Sequence, residues 1–155
     1  MTRATLTLDL VDDQDVPEPL RELATRVTRS VADATGLQGA VALRICSDAD
    51  MQRLNRQFRH VDQPTDVLAF PPGASGPGSA PESVGDVALS YARVVSQGQA
   101  HGHGLEREFA YLVTHALLHL AGFKHDDARD YQRMRRAEEK ILASIGLARD
   151  PIPAK

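Results

Sequence analysis

Residues 105–121, LEREFAYLVTHALLHLA, place Leu105, Phe109, Leu112, Val113, Leu117 and Leu120 at helical spacing. Such a run is a helix with one side covered by another layer. Gly122 follows it, and a residue tolerant of positive φ is a helix stop. The covering layer has to come from the rest of the chain, which supplies short strands. Residues 5–11, TLTLDLV, alternate, with Leu6, Leu8 and Leu10 on one face. Residues 40–46, 65–70 and 86–90 read as three further strands. Pro17 and Pro19 open a helix whose Leu20, Leu23, Ala24, Val27 and Val31 turn inward, and Gly36 stops it. Ser47 or Asp48 caps a short helix over 49–57 that carries Met51 and Leu54 inward. Helices are also expected near 91–101 and over 127–145, the latter with Tyr131, Met134, Ala137, Ile141 and Leu142 inward. The order predicts an α+β fold: one domain over 1–155, with a mixed, mostly parallel four-stranded sheet and about five helices. Residues 71–85, rich in Pro, Gly, Ser and Ala, read as a surface loop.

The net charge of −3 excludes a protein that attracts nucleic acid through a global positive field, so any RNA contact must be local. No run approaches the roughly 20 apolar residues of a membrane span. The N-terminus alternates and carries acids where a signal peptide would be apolar. The single cysteine, Cys46, lies in an apolar run and reads as core. A cytoplasmic protein is expected.

Three of the chain's six histidines, His115, His119 and His125, lie in THALLHLAGFKHDD. His115 and His119 are four apart on the helix and project from one face. Past the glycine bend, His125 can swing back as a third ligand. Three nitrogens around zinc leave a fourth position open for water, whose pKa can fall to about 7. His101 and His103, in a glycine-rich turn, lack that geometry and read as solvated; His60 is ambiguous. The spacing also matches HExxHxxGxxH zinc peptidases. Here Ala116 stands where those enzymes carry the glutamate base, and Met134 reads as core.

A second constellation is RLNRQFRHVDQPTDVLAFP, 53–71, with Arg53, Arg56 and Arg59 along one face. The planar guanidinium fork suits phosphate and would stabilise a phosphodiester transition state beside a metal. Three exposed arginines can also simply solvate a helix.

Together these blocks resemble the YbeY family, bacterial metal-dependent endoribonucleases tied to ribosomal RNA maturation. The family's HGxLHLxGYDH stands here as HALLHLAGFKH, its LNxxFRxxDxPTDVLSFP as LNRQFRHVDQPTDVLAFP, and its Gly-Asp piece as Gly85-Asp86-Val87. The resemblance implies one zinc ion held by His115, His119 and His125, with Arg59 and His115 catalytic. It implies that Asp66 either orients a ligand or Arg59, or makes a structural hydrogen bond. It implies cleavage of single-stranded RNA in 16S rRNA 3′-end maturation and ribosome quality control. The implied partners are the small ribosomal subunit and assembly factors, with no membrane. Four departures stand out: Ala116 for glycine, Ala69 for serine, Phe123 for tyrosine and Lys124 for aspartate. Lys124 either disfavours metal or adds a phosphate contact. The competing readings are a zinc peptidase-like hydrolase and a non-catalytic ribosome-assembly factor with a structural zinc.

Overall fold

The computed structural model describes residues 5–72, 83–102, 104–124 and 126–147. In chain order the elements are β1 (Leu6–Asp12), α1 (Glu18–Thr35), β2 (Gly39–Cys46), α2 (Asp48–Arg59) and β3 (Val67–Phe70). They continue with β4 (Ser83–Ser90), α3 (Tyr91–His101), α4 (Gly104–Leu120) and α5 (Ala128–Ser144). The sheet order is β1-β2-β4-β3, with β1, β2 and β4 parallel and β3 antiparallel along one edge. This is the α+β architecture expected, a mostly parallel mixed sheet with five helices.

Alternation along the strands sorts the sheet into two faces. Val41, Leu43, Ile45, Val87 and Leu89 join one core with α1, α4 and α5. Cys46, Leu68 and Ala88 join a smaller one with Met51 of α2 on the other face. Cys46 is fully buried, and Met134 is core. Phe109 of α4 is fully buried, and truncating such a residue costs about 3–5 kcal/mol.

α4 is the hub. It packs on α1, α3, α5, β3 and β4. Its last turn reaches the sheet at Gly85, where a Cβ would lie 2.5 Å from the Phe70 carbonyl and 2.7 Å from Leu120 Cδ2. With φ at +131°, that position takes only glycine comfortably.

Three local expectations change. β4 begins at Ser83, inside the stretch read as loop, while residues 73–82 of that stretch lie outside the described residues. β3 begins two residues late because Asp66 turns its own carboxylate onto the Val67 N–H at 2.7 Å. Tyr131 is half exposed, since α5 meets the core only from Met134 onward.

Candidate active site

A cleft of about 580 Å³ opens between the C-terminal half of α4 and the end of α2. Arg59, Asp66, His115, His119 and Lys124 all line it. It is the cleft expected between the histidine helix and the basic 53–59 segment.

On the α4 side, Tyr111, His115 and His119 follow one another at one-turn intervals along a single stripe. The helix ends in a Schellman motif: the Phe123 N–H donates to the Leu118 carbonyl at 2.9 Å and the Gly122 N–H to the His119 carbonyl at 3.0 Å. Gly122 adopts φ +102°, which the helix stop required. This turn places Phe123 and Lys124 on the cleft rim.

The two imidazoles converge. His119 Nε2 lies 3.2 Å from His115 Nε2, with the ring planes at 83°. Two nitrogens bound to one tetrahedral zinc, each about 2.0–2.1 Å from it, stand about 3.3–3.4 Å apart. The pair therefore fits one ion. His125 lies outside the described residues, and among those described no cluster of three metal-ligating side chains forms.

Sequence reading missed the residue that braces this pair. His115 Nδ1 lies 2.5 Å from Glu138 Oε2, contributed by α5. Glu138 is 1% exposed; among the described residues its other oxygen has no hydrogen-bond partner, and Arg135 lies 3.8 Å away. Burying a carboxylate is expensive unless it is paired. A carboxylate only accepts, so the hydrogen sits on Nδ1 and the Nε2 lone pair faces the cleft. No spacing rule links position 115 to position 138. Tyr111 was missed as well: burial first, and the Glu138 charge second, push its phenol up, so it stays a neutral donor.

On the α2 side, Arg59 is the last helical residue. A cation there is favoured by the helix dipole. His60 then takes φ +60° as the cap, and Asn55 Nδ2 donates to the Gln63 carbonyl at 2.9 Å, tying down the chain that follows. Arg59 has no ion-pair partner among the described residues. Arg53 is drawn into an ion pair with Asp50, so the expected three-arginine face is reduced to Arg56 and Arg59. Asp66 makes structural hydrogen bonds: its carboxylate accepts from Val67 N–H and Thr65 Oγ1, and its carbonyl from Ser90 N–H.

Of the other histidines, His60 is an exposed cap and His103 lies outside the described residues. His101, read as solvated, is exposed and also brings its Nδ1 to 3.0 Å from buried Glu108. Ala116 is buried in α4 beside the histidines, where peptidases of this spacing carry an acid.

The family model described as "Endoribonuclease YbeY" matches residues 9–146. The endoribonuclease YbeY of Roseiflexus castenholzii is 41% identical over 152 residues, covering 91% of this chain and 96% of that protein. That of Chloroflexus aggregans is 37% identical over 153 residues, covering 94% and 99%. The solution structure of TM1509 from Thermotoga maritima has a TM-score of 0.60 at 23% identity, covering 96% of this chain and 99% of its own, which shows a shared fold. Matched along nearly its whole length by the family model and by these relatives, the chain belongs to the endoribonuclease YbeY family.

Proposed function

We propose that this protein is a zinc-dependent endoribonuclease that cuts single-stranded RNA and acts in 16S rRNA 3′-end maturation and ribosome quality control. The observation that carries the reading is the pair of converging Nε2 atoms in one cleft with Arg59, which has no ion-pair partner among the described residues. His115, His119 and His125 hold the ion, and Glu138 keeps His115 in the tautomer that ligates. Bound zinc supplies a Lewis acid and an acidified water at neutral pH.

Arg59 carries the phosphate side of the chemistry. Its fork holds two non-bridging oxygens of the scissile phosphodiester and strengthens its hold as charge accumulates there. Lys124 adds a second cation on the opposite rim. Its position favours the phosphate contact over a purely adverse effect on metal. The small ribosomal subunit, with its assembly factors, is the setting in the cytoplasm. Among the described residues no helix is long and apolar enough to cross a membrane.

The test is direct. Zinc-loaded protein is incubated with a precursor of the 16S RNA 3′ end, beside His119→Ala and a chelator control. Cleavage by the wild type alone is the expected result. Stoichiometric zinc with intact RNA, and normal rRNA ends in cells carrying Arg59→Ala, would sink the catalytic reading and leave a structural zinc in an assembly factor.

A further inference from the structure

Six of the thirteen described arginines are neutralised. Arg21, Arg44, Arg53, Arg93, Arg107 and Arg135 each pair with a carboxylate. α5 contains a group that is not. Arg129, Arg133, Arg136 and Lys140 are all exposed and make no ion pair among the described residues. Their spacing of four, three and four places them in one stripe, opposite the core residues Met134, Glu138, Ile141 and Leu142.

An exposed basic stripe is usually a solvated face, but this one works against its own helix. Like charges at i, i+4 each cost about 0.2–0.5 kcal/mol, and Arg129–Arg133 and Arg136–Lys140 are such pairs. Arg129 also lies near the positive end of the helix dipole. The glutamates that could have relieved the repulsion are engaged elsewhere: Glu138 with His115, and Glu139 with Arg107 at 3.1 Å. Acids near the stripe are confined to the start of the helix, at Asp126, Asp127 and Asp130, and Asp127 is used as the cap.

The stripe is continuous with the cleft. The Arg133 guanidinium lies 4.9 Å from the centre of the Phe123 ring, and Phe123 lines the cleft beside Lys124. Seven residues farther along α5, about 10 Å at the helical rise, Lys140 enters a second depression. Arg26 and Arg29 of α1 line it too, with Asp33 as its acid. A chain of net charge −3 thus gathers several cations that make no ion pair among the described residues into one band leading away from the candidate active site.

We infer that this band is the path of the RNA backbone outside the cleft: the phosphates of a single strand whose scissile bond lies at Arg59 run along α5 over Arg133, Arg136 and Lys140. The inference rests on the endoribonuclease reading and adds where the rest of the strand goes. Guanidinium forks match phosphate, and continuity with the cleft makes the ligand in both places the same molecule. The contacts are to backbone, so the band gives affinity without sequence preference.

The test compares the zinc-loaded wild type with R129Q/R133Q/R136Q/K140Q and with R136Q/K140Q, which is remote from the cleft. Affinity for a labelled single-stranded 2′-O-methyl RNA is measured across a salt series. Each lost phosphate contact should flatten the slope of log K against log salt by about 0.7. The quadruple variant should therefore lose between two and three units of slope, and the double variant about half of that. On a long cleavable RNA, KM should rise about tenfold while kcat holds. Unchanged slopes in folded variants overturn the path while leaving the nuclease intact. Unchanged RNA affinity with weakened binding to the small ribosomal subunit would assign the band to a protein partner and overturn it equally. A wild type that neither binds nor cuts RNA sinks the nuclease reading itself.

Discussion

The two walls of the cleft are built on opposite plans. On the α4 wall, His115 is half-buried, bonded to Glu138, near the Tyr111 ring and locked by a closed helix end. On the α2 wall, Arg59 stands at a helix terminus, has no ion-pair partner among the described residues and is followed by a left-handed cap. The histidine wall is held rigid before anything binds. The arginine wall, exposed to solvent, is left free to keep its rotamers. Ligand geometry at a metal tolerates little error, whereas a phosphate can be met by a mobile fork.

Removing one element at a time breaks this comparison. The largest effect is expected from His119→Ala, which should abolish stoichiometric zinc binding and bring RNA cleavage to background. Zinc retained at full stoichiometry would show that the two nitrogens do not share an ion. Next comes Arg59→Ala, expected to lower kcat/KM by about 10²–10³ with zinc content unchanged. Arg59→Lys should recover part of that loss, because it restores the charge without the fork. Equal losses in both would show that the planar geometry is what matters.

Glu138→Gln tests the brace. Zinc affinity, measured by chelator competition, should fall about 10–100-fold, with Glu138→Ala at the larger end. A folded Glu138→Ala protein with wild-type zinc affinity would reduce the carboxylate to packing.

Asp12→Asn supplies the contrast in which stability falls and the cleft is untouched. Asp12 accepts from the Gln14 and Val16 N–H groups and from Arg21, at the turn from β1 into α1. Burial works to raise its pKa, but these hydrogen bonds outweigh it and hold the carboxyl below its usual value. Its contribution is therefore complete above the unfolded pKa near 4 and is lost as pH falls through the lower folded value. Asp12→Asn should cost about 1–3 kcal/mol at pH 7, and the difference should shrink in acid. Denaturant titration at pH 7 and pH 3 measures both, while zinc affinity stays constant. The smallest effect belongs to Ala116→Gly, which restores the family's glycine and should cost about 1 kcal/mol of helix stability.

How much of this was legible in the sequence depends on distance along the chain. The histidine helix and its glycine stop follow from spacings of three to seven residues, where helix geometry applies directly, whereas a cleft shared with Arg59 was legible only through the family resemblance. The His115–Glu138 bond joins two helices across the core, and nothing local to Glu138 separates it from the adjacent Glu139, which faces Arg107. Ser83–Gly85 was hidden by composition: Ser, Gly and Pro neighbours suggest loop, but backbone pairing with β2 recruits those residues into β4. Tyr131 fits the inward face by periodicity, yet periodicity carries no information about where the neighbouring layer ends.

Gly85 bears on heredity as well as on packing. The sheet and the last turn of α4 meet there over the space of a missing side chain, with the Phe70 backbone carbonyl on one side and Leu120 on the other. Every missense change of a glycine codon adds a Cβ. At this position it would push against a backbone carbonyl that cannot rotate away, and against the residue next to His119. A lineage can therefore drift at Ala116, Phe123 or Lys124 while the histidine pair stays in register with β3. It has no single-step route away from this glycine that leaves that register alone.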